Sequence, residues 1–292
     1  MADSFFNPNS HYNHIRSTSL PSKPHPLILK CNEYLAKLEA LDAASSSPSS
    51  SSSSFSHKLS ELQELHDSVE KLVQLSDTRE VLVHECHDEI LDGSLRLLDA
   101  CTAAKDALLH TKECAREVQS IMRRKRGGEM EVRKYLTSRK VVKKAISKAL
   151  ANLKSASNKC KFSSTHKGHQ KGELVSLFKD VEVVTVHILE SLLSFISGPT
   201  QSKSSNWSLV SKLMGNKRVS STQEDDENEF AVVDAALQSF VFHSAGKSEN
   251  IDNLQNQLEN LETVIQDFVE RLEALLRRFI KTRVALLNIL DH

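Results

Sequence analysis

The chain has 292 residues, with 38 Lys/Arg balanced by 38 Asp/Glu, 39% hydrophobic residues and 5% aromatics. Its 8 Gly and 6 Pro are too few for a sandwich or barrel, which need turn residues about every 8–12 positions. The five cysteines (Cys31, Cys86, Cys101, Cys114 and Cys160) are odd in number, irregularly spaced and without a CxxC pair, so a disulfide or zinc framework is excluded in favour of reduced thiols in a cytosolic or nuclear protein.

Residues 1–24 are polar and Pro-punctuated and read as a disordered tail. The start, Met-Ala-Asp-Ser-Phe-Phe, lacks the charged opening and apolar run of a signal peptide. Pro26 to Leu41 reads as a short helix, followed by a serine-rich loop over 45–54. From Phe55 the apolar positions Leu59, Leu62, Leu65, Val69, Leu72 and Val73 have helical spacing. Asp77 or Thr78 is a candidate cap for a continuation through Val81, Leu82 and Ile90. The next helix is long, with Leu91, Leu95, Leu98, Cys101, Leu108, Ala115, Val118 and Met122 on one face. It ends in Arg123-Arg124-Lys125-Arg126 and Gly127-Gly128, as expected where cations meet unpaired carbonyls and Gly supplies the left-handed stop.

A second long helix starts near Glu129, with Tyr135, Leu136, Val142, Ile146, Ala149 and Leu153 inward and Arg133, Lys140, Lys144 and Lys148 outward. The short turn predicts antiparallel packing of the two. Leu174 to Ile196 is the most apolar stretch, stopped by Gly198-Pro199 and expected at the bundle centre. It is short for a membrane span of roughly 20 apolar residues and carries Glu182, His187 and Glu190. Residues 200–228 read as a loop region, and Phe230 to Phe242 as a short helix. The last helix runs from about Glu249 to Leu290. Ile251, Leu254, Leu258, Leu261, Ile265, Phe268, Leu272, Leu275 and Phe279 alternate steps of three and four without a miss, which is a heptad seam. Thr282 interrupts it before Leu286 and Ile289 resume.

A narrow seam of this kind serves either a dimerising coiled coil or the chain's own bundle. Val264, Leu276, Ile280 and Leu287 widen the stripe and favour the bundle, so a monomer is expected, with a dimer through the last helix as the alternative. Charge is uneven. Arg123 to Lys154 carries 12 Lys/Arg and 2 Asp/Glu, whereas Gln223 to Glu273 carries 2 and 13. The two regions are expected to face each other or, failing that, the basic one to meet anionic lipid. Nucleic acid is disfavoured because no aromatics interleave the cations.

No nucleophile elbow, P-loop or dinucleotide turn occurs, so no catalytic residue, cofactor or metal is expected. His84-Glu85-Cys86-His87-Asp88 lacks the spacing that puts two histidines one turn apart, and reads as a structural or solvated pair. Cys101 and Cys114 have core spacing. Arg16-Ser17-Thr18-Ser19-Leu20-Pro21 matches a 14-3-3 docking sequence once Ser19 is phosphorylated, and Lys217-Arg218-Val219-Ser220 is a weaker kinase site at Ser220.

Five stretches carry a resemblance: HIRSTSLPSKPHPL from His14 to Leu27, LDGSLRLLDACTAAKDALLHTKECAREVQSIMRRKRGGE from Leu91 to Glu129, EVRKYLTSRKVVKKAISKALANLK from Glu131 to Lys154, SLLSFISGP from Ser191 to Pro199, and RFIKTRVALLNIL from Arg278 to Leu290. On these the chain resembles the land-plant family called domain of unknown function 241, related to the BYPASS proteins. Its turn at Gly127-Gly128-Glu129-Met130 is shorter than in relatives. The resemblance implies a helical plant protein without assigned catalytic residues, associated with root and shoot development and with restraint of a mobile root signal. A more distant relative is linked to the exocyst.

The expectation is therefore an all-α, elongated antiparallel bundle over residues 25–292, and a non-catalytic interaction or regulatory protein. It is cytoplasmic, with peripheral-membrane or nuclear placement as further options. The alternatives are a trafficking adaptor and an enzyme acting on the mobile signal.

Overall fold

The computed structural model describes residues 24–44, 51–85, 87–124, 128–159, 169–198, 228–242 and 248–290. All regular structure in them is helical: α1 (Pro26–Ala44), α2 (Ser52–Val73), α3 (Ser76–Glu85), α4 (His87–Arg123), α5 (Glu129–Lys159), α6 (His169–Ser197), α7 (Glu229–Phe242) and α8 (Ser248–Leu290). At 1.5 Å per residue, α8 is about 65 Å long, so the bundle is elongated. The expected helices are present, with two local differences. The end of the serine run is helix rather than loop, because the Ser51 hydroxyl accepts from the Ser54 backbone N–H at 3.3 Å and caps α2. The continuation expected after Asp77 is a separate ten-residue helix that starts one residue earlier, at Ser76.

Side-chain contacts give the directions. α5 folds back antiparallel on α4, with Lys134 on Glu117 (2.9 Å) and Ser138 on His110 (2.6 Å). α8 is antiparallel to α4, with Arg123 on Glu259 and Lys105 on Glu273. α2 runs parallel to α8, with Gln63 donating to the Arg271 carbonyl and Glu70 meeting Lys281. α6 packs on every helix from α1 to α5 and on α7, which fits its apolar sequence.

The heptad seam is occupied by the chain's own α2, α4 and α7. Leu254 to Phe279 are buried at every seam position, and Ile251 is half-buried at the open end. The widened stripe is not all inward. Ile280 and Leu287 are exposed, with Val284 between them. On α4 Cys101, Leu108, Ala115, Val118 and Met122 are buried as expected and Leu91 and Leu98 are half-buried, but the buried face also takes in residues outside the expected set. Leu95 is exposed, and the buried line runs through Leu97, Ala100, Cys101, Ala104, Ala107, Leu108, Ala115 and Val118. The alanines among them present little side-chain bulk where α4 is crowded by α5, α6 and α8. The few aromatics are concentrated where α2, α6, α7 and α8 meet: Phe195 lies 4.9 Å from Phe55 and 5.8 Å from Phe230, centroid to centroid, and Phe268 joins them.

Candidate functional site

The α5 surface comes first, because one turn of helix separates Lys140 from Lys144 and Lys144 from Lys148, so the three ammonium groups line one stripe. All three are exposed, and none has an ion-pair partner among the described residues. Val141 beside them is 61% exposed. Several other cations of the basic region are paired. Arg123 meets Glu259 at 2.8 Å, Arg133 meets Glu129 at 2.7 Å, and Lys134 meets Glu117. Arg124 is exposed, and Lys125 and Arg126 lie outside the described residues.

The expected facing of basic and acidic regions holds at Arg123, which meets Glu259, and at Arg139 and Lys143, which both meet Asp234 of α7. Two further acids of α8 are held by α4: Glu262 by Arg116, with Nε at 2.7 Å, and Glu273 by Lys105 at 3.5 Å. The reason is topological. α4 lies between α5 and α8, so the outward lysines of α5 cannot reach the acids of α8.

Two buried polar groups are not in the expected set. The first joins four helices. Arg139 of α5, almost fully buried, donates from Nε to Asp234 Oδ1 of α7 at 3.0 Å, from Nη2 to the Ile196 carbonyl of α6 at 2.8 Å, and from Nη1 to Thr111 Oγ1 of α4 at 3.3 Å. Its guanidinium stacks 5.5 Å from the Phe230 ring centroid. Lys143 reaches the other Asp234 oxygen at 3.0 Å, and the Tyr135 hydroxyl donates to Oδ1 at 3.4 Å. Burial, reinforced by the Asp234 charge, pushes the Tyr135 phenol far up, so it remains a donor.

The second lies between α2, α4, α6 and α8. His66 Nε2 is 2.9 Å from Thr185 Oγ1, and that hydroxyl lies 2.6 Å from the Val181 carbonyl. A hydroxyl has one proton, which goes to Val181. Thr185 therefore accepts from His66, which fixes the Nε2–H tautomer. Burial, with Arg278 nearby, lowers the His66 pKa to about 3 and keeps the imidazole neutral. His66 packs edge-on against Phe279, 4.7 Å between centroids. Beside it is a cavity of about 110 Å³, walled mostly by aliphatic and phenyl groups, with the Arg96–Glu182 ion pair at its rim. Gly93 makes that pair possible, since a Cβ there would stand 2.6 Å from Glu182 Oε2.

Both groups had a sequence signal. Arg139 stands among Tyr135, Val142 and Ile146 on an apolar stripe, and Asp234 stands inside the apolar run of α7. His66 follows Leu62 and Leu65, and Thr282 occupies a seam position. A polar residue on an apolar face marks a buried network or a site.

The thiols are quiet. Burial pushes Cys101 up to about 12 and Cys31 up to about 11. Cys114 is half-buried rather than in the core, its thiol donating to Ser138 Oγ at 3.2 Å. Ser19, Ser220 and the side chains of His84 to His87 lie outside the described residues. Among those described, no group of three His, Cys, Asp or Glu is placed to hold a metal ion, and no helix is long and apolar enough to cross a membrane.

Comparison with known proteins returns one family. The family model described as Protein BPS1 matches residues 58–289. No curated protein and no solved structure matches the chain. The matched region runs from the first turns of α2 to the end of α8 and contains the α5 surface, the Arg139 junction and the His66 cavity. The chain belongs to the BPS1 family, the plant family of domain of unknown function 241.

Proposed function

We propose that this chain is a non-catalytic interaction protein that regulates plant root and shoot development from the cytoplasm, and that it engages an acidic partner through α5. The observation that carries this reading is the lysine stripe. Lys140, Lys144 and Lys148 are exposed and without carboxylate partners among the described residues, whereas Arg116, Arg123, Lys134, Arg139 and Lys143 all have them. Unpaired like charges on one stripe repel one another and are relieved by an anionic surface.

Proximity labelling in plant root cells tests it, comparing the natural chain with a Lys140→Glu, Lys144→Glu, Lys148→Glu variant. The variant is expected to lose a subset of labelled proteins while folding normally, since exposed substitutions change stability by only about 0.5 kcal/mol. An unchanged set, or turnover of a defined metabolite by the purified protein, defeats the reading. Phosphorylated Ser19 supplies a separate 14-3-3 contact in this scheme, to be checked by pull-down with Ser19→Ala.

A second reading, a peripheral membrane or trafficking adaptor, is favoured by exposed Val141 beside the lysines. Three lysines at an anionic bilayer strengthen binding by roughly a hundredfold. Flotation with phosphatidylserine vesicles is then expected for the natural chain and lost in the triple variant. Absence of flotation, or flotation that survives the charge reversal, rejects it.

A further inference from the structure

Thr282 is the one polar residue in the α8 seam between Leu254 and Leu286, and its place coincides with the His66 cavity. Its hydroxyl oxygen is buried and has no hydrogen-bond partner among the described residues. A hydroxyl left so is costly, and a valine there would continue the seam at no such cost. His66 lines the same space. With Nε2–H committed to Thr185, its Nδ1 is an acceptor with no partner among the described residues. The cavity is therefore lined by Thr282, whose buried hydroxyl has an unused donor, and by His66, whose Nδ1 is an acceptor, in walls built of Val69, Leu97, Phe178 and Leu286.

We propose that this cavity is a binding site for a small, neutral, largely apolar molecule bearing one hydroxyl group, of the size and chemistry of a simple phenol. The hydroxyl donates to His66 Nδ1 and accepts from Thr282, and the ring lies among the aliphatic and phenyl walls. Size follows from the volume. A dry cavity of about 150 Å³ holds benzene, and this one is about 110 Å³ and open at the Arg96–Glu182 rim. Charge follows from the surroundings. His66 is neutral, and the rim pair presents both signs, so a carboxylate or ammonium would be desolvated without a dedicated counter-charge. A ketone lacks the proton that His66 Nδ1 requires. The site is separate from the α5 surface, and its test does not depend on the partner proposed there.

The purified full-length chain is titrated with phenol and with benzene by calorimetry and saturation-transfer NMR. Phenol is expected to bind about tenfold more tightly than benzene, the effect of a buried hydrogen bond. Thr282→Val should remove one of the two hydrogen bonds, lower phenol affinity severalfold and leave benzene unchanged. Leu286→Trp, which fills the space, should abolish both while thermal unfolding stays cooperative. Failure of both probes to bind the natural chain means that water fills the cavity, and overturns the proposal. So does equal binding of phenol and benzene that Thr282→Val does not alter, or phenol binding that survives Leu286→Trp. Should Leu286→Trp fail to fold, the Thr282→Val comparison still decides.

Discussion

The Arg139 junction and the His66 cavity are both polar groups inside an apolar bundle, and they are resolved in opposite ways. At the junction every strong donor has an acceptor: Arg139 is met by Asp234, Ile196 and Thr111, and Asp234 also by Lys143 and Tyr135. Such a network specifies how α4, α5, α6 and α7 sit together without offering anything to a ligand. At the cavity the balance is incomplete. His66 is half-satisfied, Thr282 is unsatisfied, and space remains beside them. The difference teaches which buried polar group is a staple and which is a site: the staple closes on itself, and the site leaves an unfilled valence next to a void.

The largest effect should come from breaking the closed network. Arg139→Met removes the charge and leaves Asp234 buried with only Lys143 and the Tyr135 hydroxyl beside it. A loss of about 3 kcal/mol is expected, at the low end for a broken buried pair because Lys143 remains. Urea unfolding measures it. Replacing both partners, Arg139→Met with Asp234→Leu, should recover most of the loss; if the double variant is no better than the single, the junction is not an isolated pair.

The half-satisfied group should show itself through pH. The folded pKa of His66, about 3, lies below its ordinary 6.5, so protons bind preferentially to the unfolded chain. The stability contributed by neutral His66 is fully present above about pH 6.5 and falls as pH drops from there toward 3. Between pH 7 and pH 5 the loss should be about 2 kcal/mol. His66→Gln should flatten that part of the profile; an equally steep profile in the variant places the titration elsewhere.

The unsatisfied group should give the smallest change, and of opposite sign. Thr282→Val removes a buried hydroxyl without a partner at nearly constant shape, and should raise stability by about 1 kcal/mol in the absence of ligand. A loss would mean that the hydroxyl has a water partner worth keeping.

Much of the architecture was legible in the chain. Steps of three and four from Ile251 to Phe279 announce α8, the single turn at Gly127-Gly128 announces the α4–α5 hairpin, and scarcity of Gly and Pro excludes sheets of many short strands. What misled was reading size as burial. Leu95, Ile280 and Leu287 are large and exposed, while Ala100, Ala104 and Ala107 are small and buried. Periodicity reports that a face exists, but where a helix has three neighbours its buried sector is set by how closely each can approach.

The family membership, the helices and the seam follow from local pattern, because helical period and caps act within a few residues of each other. Which charges cancel does not. The basic and acidic blocks balance on paper and meet at Glu259 and Asp234, yet α4 stands between α5 and α8 and holds Glu262 and Glu273 with its own Arg116 and Lys105, leaving Lys140, Lys144 and Lys148 outward. Nor could sequence say that Arg139 finds a carboxylate while Thr282 finds none. Hydrogen bonds and ion pairs act over about 3 Å, between residues here as much as 211 apart along the chain, so their partners are decided only when the helices pack.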